Sequence, residues 1–167
     1  MKKPLPATEN YLRWGLLSLT HRAIIKARDR ELMKCGISVE QSSILAITLA
    51  ISATAGHKPT ATELSKYLIR ERHSVSETVN SMVRKRLLRR ERDKKRRNLW
   101  RLSLTEKGLK TYKVTSDRRS IYSIMSALTE EEGQQLEVYL NKLLSKALKR
   151  LKISDRLPLP REILENN

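Results

Sequence analysis

At four candidate helix starts along this chain a serine or threonine is followed three residues later by glutamate or glutamine: Ser38 and Gln41, Thr60 and Glu63, Ser74 and Glu77, Thr129 and Glu132. In such a box the hydroxyl accepts from the free N–H groups of a helix start, while the carboxylate or amide reaches back to the N-cap backbone. Together with Thr105–Glu106, a further start signal, these boxes divide the chain into six predicted helices, at about 8–34, 39–54, 61–69, 75–86, 106–127 and 130–151. Gly36 is placed to end the first as a left-handed C-cap. The second is apolar nearly all round and is therefore expected at the centre of the core. Inward faces follow from helical spacing: Leu64, Leu68 and Ile69 on the third helix, Val75, Val79, Met82 and Val83 on the fourth, and a stripe at Leu136, Leu140, Leu143, Leu144, Ala147 and Leu151 on the last. The tail, with Leu157-Pro158-Leu159-Pro160, cannot continue a helix and is expected across a surface.

Between the fourth and fifth helices the period changes. Residues 88–92 and 99–104 read as two strands, the second alternating Trp100, Leu102 and Leu104 against Leu99, Arg101 and Ser103, with a hydrated tip at 93–98. Two short-coupled helices followed by a two-stranded hairpin make the plan of a winged helix-turn-helix. The expected fold is therefore mainly α with a small β-hairpin wing (α+β), in a single chain unit, 1–167. Residues 38–104 form the DNA-binding domain; 8–35 and 106–167 supply flanking helices too apolar on one face for so small a module to cover, which suggests dimerisation with a second copy.

Charge narrows the partner. Lys and Arg number 35 against 18 Asp and Glu, a formal net charge of +17. Such an excess repels itself in a compact state and is relieved by an anionic partner, either nucleic acid or an acidic membrane surface. Its densest part is 84–97, where ten of fourteen residues are basic and two acidic, a local net of +8. That run begins at the end of the second helix of the pair and enters the hairpin, where it can reach phosphates and a minor groove. The longest apolar stretch, 44–51, is far short of the roughly 20 residues a membrane span needs. Double-stranded DNA is thus the expected partner, with no membrane. No apolar h-region follows Met1-Lys2-Lys3-Pro4, and the single Cys35 leaves no disulfide framework within the chain, which fits a cytoplasmic location.

Sequence reading by a helix-turn-helix uses the exposed N-terminal part of its second helix. The polar groups there are Ser74, Ser76, Glu77 and Asn80, followed by Arg84. Asn80 has the geometry for an adenine edge and Glu77 for cytosine N4; Ser74 and Glu77 serve equally as helix caps. Arg90, Arg92, Lys94, Lys95, Arg96 and Arg97 are the expected wing and backbone contacts. With only Trp100 near the basic run, stacking platforms for single strands are lacking. A non-specific architectural protein is the alternative that the charge alone supports.

The stretch Thr62-Glu63-Leu64-Ser65, then Ser74 through Arg90, then Leu104-Thr105-Glu106-Lys107-Gly108 resembles the MarR family of transcriptional regulators, over about residues 8–150. The resemblance implies a homodimer with intertwined terminal helices, a fourth helix in the major groove, transcriptional repression in many members, and release of DNA by a small anionic or phenolic compound or an oxidant. This chain departs from the family pattern twice. Arg96 and Asn98 stand where the family carries Asp-x-Arg in the wing, so the pairing that orients the wing arginine is expected to differ, with Asp93 and Arg96 shifted into a related role. Arg86 stands where the family has glycine, so the turn into the wing is expected to change, because a Cβ disfavours a left-handed backbone.

Smaller signals complete the reading. Thr115-Ser116-Asp117-Arg118-Arg119-Ser120 interrupts the stripe of the fifth helix. It is read either as solvated and ion-paired residues or as one wall of an effector pocket, with Arg118 or Arg119 facing Trp14, His21 or Arg22. Cys35 beside Lys34 is read as a packing residue or a redox sensor. His21, His57 and His73 lack metal-ligand spacing, so no metal and no cofactor are expected. The sequence contains no Gly-rich phosphate loop, nucleophile elbow or HExxH, and the reading is of a regulator rather than an enzyme.

Overall fold

The computed structural model describes residues 7–153, so the predicted surface run at Leu157–Pro160 lies outside the described residues. The elements follow in the order α1 (Ala7–Met33), α2 (Val39–Thr54), α3 (Ala61–Leu68), α4 (Arg72–Arg84), β1 (Leu88–Arg92), β2 (Trp100–Leu104), α5 (Glu106–Thr115), α6 (Arg119–Met125) and α7 (Glu130–Leu151). The mainly α fold with one antiparallel hairpin is the one the sequence predicts.

Three of the four capping boxes form with both reciprocal bonds, at Ser38–Gln41, Thr60–Glu63 and Thr129–Glu132. Thr105 caps α5 by accepting from the Gly108 N–H. The fourth box does not form. Helix α4 starts at Arg72, its N-cap Glu71 makes no side-chain cap bond, and Ser74 lies inside the first turn. The cause is the turn before it. Helix α3 ends with Ile69 in the left-handed region (φ 51°, ψ 45°), where its N–H and that of Arg70 return to Lys66 and Ser65 carbonyls. Ile69 is accordingly an exposed C-cap rather than an inward helical residue. A β-branched residue in that region is an outlier, and the αL conformation costs an L-residue roughly 1–2 kcal/mol. Ile69→Gly is expected to raise the unfolding free energy by about 1 kcal/mol, less than the full relief because glycine loses more entropy on folding. An unchanged or lower urea midpoint would contradict that strain.

The core is built around α2. Ile44, Leu45 and Ile51 meet Leu32 of α1, Leu64 of α3, Val75, Val79 and Met82 of α4, Leu88 and Leu102 of the hairpin and Tyr112 of α5. The hairpin pairs Leu88 with Leu104 at its root and Arg92 with Trp100 near its tip. The Leu102 N–H also donates to the Pro59 carbonyl at 2.8 Å, which ties the wing to the α2–α3 loop.

The residues Leu104–Gly108 seal this module. The Thr105 N–H and hydroxyl donate to the Leu87 and Arg86 carbonyls (3.1 and 2.6 Å), and Lys107 Nζ donates to the Lys85 carbonyl at 3.0 Å. Gly108 is buried so closely that an added Cβ would lie 2.0 Å from the Leu87 carbonyl oxygen. Arg86 keeps the left-handed turn (φ 57°) despite its side chain. Its N–H bonds Val83 and that of Leu87 bonds Met82, the two bonds of a Schellman motif. The substitution for glycine therefore strains the turn without altering it.

The predicted fifth helix is two. After Thr115 the chain breaks at Ser116–Arg118, with Arg118 left-handed (φ 46°, ψ 36°), and resumes as α6. No described helix is long and apolar enough to cross a membrane.

Candidate nucleic-acid interface

Helix α4 is positioned by Val75, Val79 and Met82, all fully buried. Residues 73, 77, 80 and 84 recur at helical spacing away from those anchors. His73, Glu77, Asn80 and Arg84 thus make one row, with His73, Glu77 and Arg84 exposed and Asn80 partly so. Ser74 and Ser76 flank the row, partly exposed. Because the helix begins earlier than the sequence suggests, Arg72 and His73 join its exposed N-terminal turn, and neither is among the residues predicted for the site. The signal that could have found them is the turn geometry at Ile69, which no residue type announces. Ser74 is freed from capping and accepts from Arg70 at 3.3 Å; Glu77 lies 3.8 Å from His73 Nδ1.

The wing is braced by carboxylates. Asp93 accepts from Arg101 Nε at 2.7 Å and, through its other oxygen, from the backbone N–H groups of Lys95 and Arg96 (2.9 and 2.8 Å). Arg101 also donates to the Lys58 carbonyl at 3.0 Å and to Glu63 at 3.3 Å. Glu63 in turn caps α3 and lies 2.8 Å from His57 Nε2. Burial pushes the Glu63 carboxyl up, but the bonds from His57 and Thr60 outweigh it and hold it below its usual range. Lys58 pairs with Glu91 of β1. The missing Asp-x-Arg is thus replaced by Asp93 with Arg101, which welds the hairpin to the start of α3. Arg96 contributes its backbone N–H to this brace rather than its side chain.

Of the predicted wing contacts, Arg92 is partly engaged. Its guanidinium lies 4.2 Å from the Trp100 ring centroid and donates to the Arg97 carbonyl at 2.5 Å, so it shapes the tip. Arg90, Lys94, Lys95, Arg96 and Arg97 are exposed, and Lys94 and Arg97 border the cleft at the tip with Arg92 and Asp93.

The residues read as a pocket wall are spread along α1 and the α5–α6 break. Trp14 is exposed and stacks at a tilt on Tyr11, with ring centroids 5.3 Å apart; His21 is exposed. Arg118 is the left-handed residue before α6, and the Arg119 side chain pairs with Asp117 at 2.9 Å. One cleft of about 630 Å³ lies elsewhere, lined by residues that include Leu49, Ser52, His57, Leu104 and Leu109. Cys35 is exposed. Among the described residues no group of three His, Cys, Asp or Glu side chains is placed to hold a metal ion.

Of the carboxylates that folding depresses, Asp93 in the wing and Glu31 at the α5–α6 break fall furthest. Arg101 and the N–H groups at the tip hold Asp93 at about 2, below its ordinary 3.8. The Ser120 hydroxyl, with Arg28, holds Glu31 at about 2, below 4.5. A carboxyl depressed by folding adds stability that is full above its unfolded value and lost as pH falls through the folded one. Stability should thus decline from about pH 4.5 down to about pH 2. In Asp93→Asn the melting temperature at pH 7 should be lower and its fall across that window shallower; an identical pH profile would remove Asp93 from the brace.

A helix pair with an exposed polar row, followed by a braced basic hairpin, has the form of a winged helix-turn-helix. Residues 48–108 match the winged helix DNA-binding domain family. Over 79–90% of the chain the architecture resembles that of solved transcriptional regulators, MarR among them. The organohalide-sensing transcriptional regulator RdhR, solved with 2,4-dichlorophenol bound, is 25% identical over 90% of this chain and 88% of its own, with a TM-score of 0.68. MepR of Staphylococcus aureus, solved with DNA, is 25% identical over 79% of this chain and 94% of its own, with a TM-score of 0.70. A MarR variant from E. coli, solved with operator DNA, shares the fold at 18% identity over 84% of this chain and 99% of its own, with a TM-score of 0.71. No curated protein matches the sequence.

Proposed function

We propose that this chain is a sequence-specific transcriptional regulator, a repressor, that binds a pseudo-palindromic operator as a homodimer. The observation that carries the reading is the single exposed row His73, Glu77, Asn80 and Arg84 beside the braced basic wing, which offers base readout and phosphate attraction from one module. The likeness to MepR, a protein solved with DNA, supports it. Dimerisation through residues 8–35 and the helices after 106 is supported by apolar side chains that one copy leaves uncovered. Leu12, Leu16 and Leu19 on α1 and Val138, Leu143 and Leu151 on α7 are all more than half exposed, an arrangement that marks an interaction surface.

Asn80 provides the sharpest test of reading as against mere attraction. Asn80→Ala should cost about 1–3 kcal/mol on the cognate operator, found by footprinting the DNA beside the gene, and almost nothing on random duplex. Equal losses on both would favour a non-specific architectural protein instead.

A further inference from the structure

The break between α5 and α6 is filled by an ion pair from another helix. In an unbroken helix the Thr115 carbonyl would accept from the Arg119 N–H, four residues on. Here that carbonyl accepts from Arg28 at 2.5 Å, while the Arg119 N–H donates to Glu31 at 3.0 Å. Glu31 also takes the Ser120 N–H at 3.2 Å and the Ser120 hydroxyl. Arg28 and Glu31 are themselves paired at 2.8 Å, and Arg28 is 7% exposed. Each charge sits where a helix end favours it, the cation at the C-terminus of α5 and the anion at the N-terminus of α6. The polar residues 115–120 interrupt the apolar stripe of 106–127, and Arg28 and Glu31 of α1 take up the backbone groups that the break frees.

We infer that Arg28 and Glu31 are positioning residues whose pair splices α5 to α6 at a set angle and thereby fixes the spacing at which two reading helices meet DNA. The inference rests on the homodimeric reading above. Its geometry has two rigid ends. Helix α5 is locked to the DNA-binding module through Thr105 and Gly108, and α6 packs against α1, the helix that carries the uncovered Leu12, Leu16 and Leu19. The angle between α5 and α6 therefore relates the module to the dimer seam. With the splice removed, the Thr115–Arg119 bond can re-form, the left-handed Arg118 is relieved, and the module swings relative to its partner.

The test is selection from a pool of random-sequence duplexes by the full-length chain, by Glu31→Ala and by the double variant Arg28→Met/Glu31→Ala. The double variant leaves no uncompensated buried charge, so it serves if the single one fails to fold. The wild type should enrich paired half-sites at one spacing. The variants should enrich the same half-site with the spacing shifted or spread by at least one base pair, about 3.4 Å along the axis. Arg118→Gly, which relieves the strain and keeps the splice, should retain the wild-type spacing. A folded, dimeric double variant that selects the wild-type spacing with undiminished sharpness would overturn the inference. Enrichment of unpaired half-sites by the wild type would instead remove the homodimeric reading, and the inference with it.

Discussion

Gly108→Ala should lower the unfolding free energy by about 3 kcal/mol or more, a large share of what a domain of this size possesses. The new Cβ would stand 2.0 Å from the Leu87 carbonyl oxygen and 3.0 Å from its carbon, so backbone rather than a flexible side chain must give way. That carbonyl cannot retreat freely, because it already accepts from the Thr105 N–H at 3.1 Å and from the Thr105 hydroxyl at 3.3 Å. The same shift would disturb the Schellman turn at Arg86 and the root pair Leu88–Leu104, on either side of the Leu87 peptide. Gly133 is the matched control. It lies in α7 with nothing within 4 Å of an added Cβ, so Gly133→Ala should stabilise by roughly 0.5–1 kcal/mol through helix propensity alone. Urea unfolding of the two variants should therefore move in opposite directions. Movement of both toward higher midpoints would mean that α5 does not approach the Leu87 peptide so closely.

Gly108 also marks what is legible in the sequence. The Leu-Thr-Glu-Lys-Gly run identifies the junction after the wing, and each functional position in it has a local cause that residue type reveals: a cap, a lysine over helix-end carbonyls, a close approach. Helices α2, α3 and α7 are legible for the same reason, since their caps and faces are spelled out within a few residues. Two features are not. Ser74 and Glu77 have the spacing of a box, but the left-handed Ile69 delivers the chain into α4 early, and no side chain in the turn advertises that conformation. The α5–α6 break is held by Arg28 and Glu31, 87 to 89 residues away in sequence, so the interrupted stripe at 115–120 does not by itself distinguish a break from a solvated face. The brace of the wing stands between these cases. Asp93 is recognisable as the available acid, whereas its partner Arg101 emerges only when the hairpin register brings the two strands together.

That brace bears on the second large effect. Replacing Lys94, Lys95, Arg96 and Arg97 together by alanine should weaken binding to every duplex by at least about 100-fold near 0.1 M salt, and flatten the salt slope by roughly 0.9 for each phosphate no longer neutralised. The four side chains are exposed at the tip, while Asp93 fixes the tip through backbone N–H groups and Arg101, all of which survive the substitution. The hairpin should therefore stay folded, and the melting temperature should change little. Sequence preference should persist, because Asn80 and Glu77 stand on a different element, held by Val75, Val79 and Met82. Arg101→Ala should do the reverse. It leaves the tip charges in place but releases Asp93 and Glu63, so the salt slope should remain steep while affinity falls through loss of a fixed wing orientation. Titrations across salt concentration distinguish the two variants: parallel lines for Arg101→Ala and the wild type, a shallower one for the tip variant. If the tip variant kept the wild-type slope, the phosphates would be met elsewhere, with Arg72 and Arg84 at the two ends of α4 the cations to replace in turn.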